Sequence, residues 1–299
     1  MKMKFRALII VLLIGCLYPW SSAKADENKV SFSRIRRQIF DSAVRANSEP
    51  VKFIVGDRGI IYRGQLAESN LWTPVESGVK ETLFAVHFPD AGHGWISGSD
   101  GTILASTDGG GTWASQTSHT DKHLFSIHFA NARFGCAAGD WGAVVVTHDG
   151  GKTWEDVSLQ EDIVIYAVHL LDSDNGLLVG EFGKILSTSD GGRTWQELPP
   201  VVDQSLFCLA ASGPNMVAAG LDGIVLISHD RGRTWEKAVN PSKNSIYGIA
   251  LKGSVGWAVG DAGVLLHSAD GGNTWVPART DGKSSLAWDK RGSSLFYLN

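Results

Sequence analysis

The sequence predicts an all-β protein, a β-propeller of four-stranded blades, and three periodic features carry that prediction. Trp72, Trp113, Trp154, Trp195, Trp235 and Trp275 are spaced by 41, 41, 41, 40 and 40 residues. Five of these tryptophans close one octapeptide: S-T-D-G-G-G-T-W from Ser106, T-H-D-G-G-K-T-W from Thr147, T-S-D-G-G-R-T-W from Thr188, S-H-D-R-G-R-T-W from Ser228 and S-A-D-G-G-N-T-W from Ser268. In the same phase run glycine pairs of the form G-x-x-G: Gly56/Gly59, Gly98/Gly101, Gly139/Gly142, Gly180/Gly183, Gly220/Gly223 and Gly260/Gly263. A period near 40 residues built of short strand-like segments is that of propeller blades, and paired glycines around two residues suit a tight hairpin turn.

At the N-terminus, Lys2, Lys4 and Arg6 precede an apolar stretch from Ala7 to Trp20, and Ala23-Lys24-Ala25 supplies a small-x-small cleavage site. Residues 1–25 therefore read as a secretory signal peptide. The stretch is shorter than the roughly 20 residues a spanning helix needs. Leu13-Ile14-Gly15-Cys16 offers a second reading, a lipoprotein signal that anchors the chain through Cys16. Cleavage after Ala25 removes four of the 27 basic residues and none of the 31 acidic ones, leaving 23 against 31, or −8. That balance argues against broad nucleic-acid binding. Cys136 and Cys208 fall at different places in different repeats, so they read as small buried apolar residues rather than a disulfide.

Residues 26–299 then form a single propeller domain. Its repeats run approximately 39–80, 81–121, 122–162, 163–203, 204–243 and 244–281. In the repeat 163–203, I-Y-A-V-H-L from Ile165 is a first strand, G-L-L-V a second, K-I-L-S-T a third, and Thr194 to Glu197 starts a fourth. The first-strand pattern recurs at Leu83 to Phe88, Leu124 to Phe129, Leu206 to Ala210 and Ile246 to Ala250, and more faintly at Ile39 to Val44. Apolar runs of this kind suit sheets covered on both faces. Leu286-Ala287-Trp288 and Leu295 to Leu298 look like two strands of a further blade, 282–299 plus 29–38, with Val30 to Ile35 as the donor that closes the ring and hides an edge. This predicts seven blades; six is the alternative, with the C-terminal strands completing the first.

Asp108, Asp149, Asp190, Asp230 and Asp270 sit in the glycine-rich turns between third and fourth strands, where a carboxylate accepts N–H bonds across the turn. That is a structural role, and the following tryptophan packs on the blade. These octapeptides are identified as Asp-box, or BNR, repeats. Together with L-F-x-V-x-F at Leu83 to Phe88 and G-W-x-x-G-x-x-G-x-I-L from Gly94 to Leu104, the chain resembles the photosystem II stability and assembly factor family over about residues 39–298. The resemblance implies a seven-bladed, extracytoplasmic, non-catalytic propeller that helps membrane proteins assemble. It places the protein in the periplasm, or in the thylakoid lumen of a photosynthetic host.

The functional expectation is an assembly or accessory factor that binds a membrane-protein or envelope-complex subunit, with no cofactor, metal, nucleic acid or small-molecule substrate. An envelope binding module serving an export complex and a sialidase-like glycoside hydrolase are the alternatives. The hydrolase needs an arginine cluster, a tyrosine nucleophile and an acid/base carboxylate. Arg193, Arg231 and Arg233 lie within Asp-box turns, while Tyr166 and Tyr247 hold the strand position of Phe84, Phe125 and Phe207 and read as core. His87, His128 and His169 share one repeat position, but Ala210 and Ala250 follow there, so packing or hydrogen bonding accounts for them better than zinc. The expected binding surface is the turn between second and third strands, opposite the Asp boxes. Arg58, Trp141 and Phe182 vary there on a constant scaffold, two of them aromatic anchors on adjacent blades. Arg34, Arg36 and Arg37 form a second candidate, a basic cluster for an acidic partner or peripheral contact with anionic lipid.

Overall fold

Each run of alternating or continuous apolar residues becomes a strand, and each glycine-rich interval a turn. The structure, a computed structural model, describes residues 30–31, 39–45, 50–65, 71–278, 285–289 and 294–298. Within them, six antiparallel sheets share a four-strand meander; five consist of it alone and the first carries a fifth, short strand at its outer edge. The fourth sheet is representative: Ile165–Leu170, Gly176–Gly180, Ile185–Thr188 and Gln196–Glu197. The first strands of the other sheets are Ile39–Arg45, Leu83–His87, Leu124–Phe129, Leu206–Ser212 and Ile246–Lys252. These first strands pack against one another in sequence order, sheet to sheet, and so form the inner wall of the array.

The core lies between sheets rather than within one. Trp95 and Ile103 of the second sheet join Leu124, Phe129, Val145 and Trp154 of the third in one buried cluster. Trp95 stacks on Phe129 with ring centroids 3.6 Å apart, and Trp154 meets Phe129 edge-on at 5.9 Å. The edge-on contact is an arrangement that aromatic quadrupoles favour, while the close parallel pair is held by the apolar area it buries. Cys136 and Cys208 are both buried, as expected of small apolar residues.

Side chains also fasten the inner strands together. Val86 N–H donates to Asp41 Oδ2 at 2.9 Å, Phe129 N–H to His87 Nδ1 at 3.2 Å, Val168 N–H to Ser126 Oγ at 3.2 Å and Leu170 N–H to His128 Nδ1 at 3.2 Å. Every one of these bonds crosses from one sheet to the next. Such contacts satisfy backbone donors that the sheet ladders leave over.

Two chain-end features differ from expectation or refine it. Val30–Ser31 pairs with Leu71–Trp72, the outer strand of the first sheet, instead of with the C-terminal strands. The physical reason is the same need to cover an exposed edge, met at the outside of the first sheet. Ser285–Asp289 and Ser294–Leu298 form a two-stranded hairpin of their own. That hairpin touches the innermost strands of both the first and the sixth sheets. No helix among the described residues is long and apolar enough to cross a membrane.

Candidate functional site

The molecule has two unlike faces. On one, the Asp-box turns dock onto the turns between first and second strands of their own sheets, as when Gly150 N–H donates to Arg133 O at 2.8 Å and Gly191 N–H to Asp174 O at 2.9 Å. On the other lie the turns between second and third strands.

The five Asp boxes repeat one bonding scheme. Asp149 Oδ1 accepts Thr153 N–H at 2.9 Å and the Thr147 hydroxyl at 2.9 Å, while Oδ2 accepts the Thr153 hydroxyl at 2.7 Å. Thr147 Oγ1 in turn accepts Gly151 N–H at 2.8 Å. Asp108, Asp190, Asp230 and Asp270 make the equivalent bonds to their own turns. The Thr153 N–H bond, with the two hydroxyls, holds the Asp149 carboxyl at about 2. In Asp230 and Asp270 partial burial opposes this, yet the hydrogen bonds prevail and the value is again about 2. Three hydrogen bonds commit each carboxylate to its own turn, which is a structural role. Arg231 pairs with Asp172 in the neighbouring sheet, and Arg193 Nη1 donates to Asp190 O at 2.7 Å. These arginines brace the turns and do not gather around a common point.

The opposite face is built on one backbone and varied side chains. Arg58, Asp100, Trp141, Phe182, Asp222 and Ala262 all have φ between 52° and 56°, each followed by a glycine at positive φ. In each turn the N–H after that glycine closes onto the carbonyl three residues back, for example Ala143 N–H to Asp140 O at 3.0 Å. Two successive left-handed residues closed in this way make a type I′ turn. Only the second glycine of each pair supplies that conformation. The first is needed for close approach: a Cβ on Gly139 would stand 1.6 Å from His123 O, so a bare Cα is what lets the inner strand come near.

Type I′ turns favour Asp-Gly or Asn-Gly. Asp100-Gly101 and Asp222-Gly223 conform; Trp141-Gly142 and Phe182-Gly183 do not. A bulky residue in the left-handed region is a real outlier, and strain of this kind, about 1–3 kcal/mol, collects at functional sites. Trp141 is 55% exposed and Phe182 65%, on adjacent sheets, with Leu221 of the next sheet at 39%. The rings do not fold back on their own sheets. The sequence singles out the first two as anchors and marks Leu221 only as one of the variable turn residues. Arg58 occupies the same turn position in the first sheet and is also exposed.

Below these turns lies a second set of rings that the alternation pattern misplaced. In the inner strands of sheets two to six the pairing skips one residue: Phe84, Phe125, Tyr166, Phe207 and Tyr247. A bulge of this sort re-aims the side chain it carries. Tyr166 and Tyr247 are therefore half-buried at the inner end of the turn face, not core residues. Phe84 and Phe125 lie 5.1 Å apart by centroid, Tyr166 and Phe207 5.1 Å, and Phe207 and Tyr247 5.4 Å. Burial, with Glu181 nearby, pushes the Tyr166 phenol up to about 12. Burial also raises Tyr247, whose hydroxyl donates to Asp261 Oδ2 at 2.9 Å.

The acidic turn residues have partly structural duties. Asp140 Oδ1 accepts His123 N–H at 2.8 Å and Glu181 Oε2 accepts Val164 N–H at 3.0 Å, each steadying the start of an inner strand. The three repeat-phased histidines stack along the inner wall, His87 to His128 at 4.1 Å and His128 to His169 at 4.4 Å. His87 and His128 accept backbone N–H groups, which gives them a packing and bonding role. Burial depresses His169 to about 4. No cluster of three or more metal-ligating side chains occurs among the described residues. Arg34, Arg36 and Arg37 lie outside the described residues.

Residues 64–164 and 153–244 each match the family described as "Photosynthesis system II assembly factor YCF48". A 53-residue stretch, 17% of this chain, is 43% identical to the chloroplastic photosystem II stability/assembly factor HCF136 of Guillardia theta, and it spans 13% of that protein. Among solved structures, YCF48 bound to a D1 peptide superimposes with a TM-score of 0.65 at 20% identity, covering 93% of this chain and 91% of that one. An ancestral GH74 enzyme gives 0.63 at 17% identity, covering 86% of this chain and 37% of that one. At such identities the structural likenesses establish the fold alone.

Proposed function

The chain belongs to the photosynthesis system II assembly factor YCF48 family, and from that premise we propose that it is an exported propeller whose turn face holds a segment of a membrane protein during assembly. Its family is one of assembly factors, and the protein is not an enzyme. The observation that carries the proposal is the pair Trp141 and Phe182: exposed rings on adjacent sheets, in a backbone conformation that disfavours them. Stability alone selects Asp or Asn at those positions; large exposed aromatic anchors are what an interface uses. A family member bound to a D1 peptide supports a peptide segment as the thing held. Arg58 lies on the same rim, and Arg34, Arg36 and Arg37 supply a second, salt-sensitive contact to the partner or to anionic lipid.

Seven blades fit best. The C-terminal hairpin lies between the first and sixth inner strands, the place a seventh blade occupies, and residues 26–299 then form one domain behind a signal peptide of residues 1–25. Export places this domain in the periplasm, or in the thylakoid lumen if the host is photosynthetic. The mature N-terminus measured by mass on exported protein is Asp26; a diacylated Cys16 contradicts that.

Capture from detergent-solubilised membranes tests the function. The wild-type domain retains a membrane protein, and Trp141→Ala and Phe182→Ala each weaken that capture by more than about 1 kcal/mol without a change in melting. Equal capture by all three proteins moves the binding surface elsewhere. Hydrolysis of a sialoside or β-glucan by the purified protein makes it an enzyme and ends the proposal.

A further inference from the structure

The turn face carries an ordered pairing of rings and carboxylates that the partner-binding reading leaves unexplained. Each of the six turns contributes one acid: Asp57, Asp100, Asp140, Glu181, Asp222 and Asp261. Inside them stand the bulge rings, with Tyr166 beside Glu181 and Tyr247 bonded to Asp261. Against this acidic surround the six turns offer one exposed cation among the described residues, Arg58 of the first sheet. Lys184, just past the fourth turn, is occupied by Glu161 at 2.9 Å and Glu197 at 2.6 Å. On the segments packed against these turns, Lys122 pairs with Asp121 at 3.0 Å and Lys243 is exposed, so the turn residues of sheets two to six are aromatic and negative, with Lys243 the exposed cation beside the fifth turn.

Such a surface has a definite complement. Aromatic faces attract ammonium and guanidinium groups, more strongly where carboxylates flank them and water is partly excluded. Asp140, Glu181 and Asp261 each use one oxygen on the protein's own hydrogen bonds, which fixes their direction. The bulge repeated in the inner strands of sheets two to six places the rings at one level, so successive residues of an extended chain meet successive rings.

Resting on the reading that this face binds a membrane-protein segment, we propose that the segment is an extended peptide bearing a lysine or arginine two positions from an aromatic or aliphatic residue, so that both point to the same face. The apolar residue sits against Trp141 and Phe182. The cation lies over Tyr166, Phe207 and Tyr247, inside the carboxylates. Charge complementarity chooses this occupant over an acidic segment, which every turn except the first repels.

Fluorescence anisotropy with labelled nine-residue peptides tests the proposal directly. The probes are one Gly/Ser peptide with a Lys-Gly-Phe centre and counterparts in which Glu replaces Lys or Gly replaces Phe. The Lys-Gly-Phe peptide binds at least tenfold tighter than either counterpart, and its affinity falls as salt rises. Phe207→Leu, which keeps apolar volume and removes the ring, weakens it at least fivefold, and Asp149→Ala, in an Asp-box turn on the other face, leaves it within twofold. Equal binding of the Lys and Glu peptides, no binding of any peptide, or indifference to Phe207→Leu overturns the inference. So does a wild-type dimer that Trp141→Ala makes monomeric, because the occupant is then a second copy. Membrane-protein capture run in parallel separates the two claims: capture that survives while peptide discrimination fails sinks only this inference, and loss of wild-type capture sinks the reading beneath it.

Discussion

The Asp-box turns and the turns on the opposite face repeat with equal fidelity, but different things are repeated. In an Asp box the side chains are constant, because the turn is held by its own carboxylate, hydroxyl and backbone donors, as around Asp149. In the opposite turn only the backbone is constant, closed by one main-chain bond and a glycine, so the residue before that glycine is free to be Arg58, Asp100, Trp141, Phe182, Asp222 or Ala262. Where the backbone alone makes the turn, the side chain is available for function. That is the reason to seek the partner on one face and stability on the other.

The comparison breaks first, and by the largest amount, at the tryptophans that close the boxes. Trp275 is buried and donates from Nε1 to Gly272 O at 2.9 Å. Trp275→Ala costs about 3–5 kcal/mol, read by urea unfolding, while a correctly folded population keeps its partner. Loss of binding at unchanged stability gives the box a recognition role and erases the contrast.

Acid separates the inner wall from the boxes. Partly buried on the inner wall, His169 falls to about 4 in the folded protein through desolvation, below the roughly 6.5 of an unfolded chain. The unfolded chain therefore takes up the proton first. Its contribution is complete above about pH 6.5 and fades as pH drops toward about 4, by about 3 kcal/mol at most. The Asp-box carboxyls, at about 2, act in a lower window: their contribution holds above about pH 4 and fades from there toward about 2. Melting followed against pH drops in both windows, and His169→Gln removes the upper drop. A single drop below about pH 4 in the wild type contradicts the assignment to His169.

Smaller again is the loss of one box carboxylate. Asp149→Ala lowers stability by about 1.5 kcal/mol, the scale of a hydrogen bond to a charged acceptor, with capture unchanged. Unaltered melting places the turn's stability in its glycines alone.

Much of this was legible in the sequence. Tryptophan spacing and glycine pairs marked the blades, and the octapeptides gave the box turns with their structural carboxylates. Trp141 and Phe182 stood out as variable positions on a constant scaffold. The bulges were not legible: Tyr166 and Tyr247 fall at an apolar position in the strand pattern, and only a skipped pair turns them to the inner end of the face. Nor was the role of the first glycine, since a carbonyl of a neighbouring strand sets it. Val30–Ser31 and the C-terminal strands are both edges in need of a partner, and sequence carries no signal for which edge a short strand covers. Leu221 does not stand out as an anchor in the sequence because its turn shifts the apolar residue one place earlier than in its two neighbours.

The most direct test of the contrast is the double variant Trp141→Asn/Phe182→Asn, melted and assayed for membrane-protein capture on the same sample. Asn tolerates the left-handed region that costs other residues about 1–2 kcal/mol. The expected result is stability equal to wild type or up to about 1 kcal/mol higher, together with loss of capture. Capture at the wild-type level, or capture lost only alongside lost stability, contradicts it.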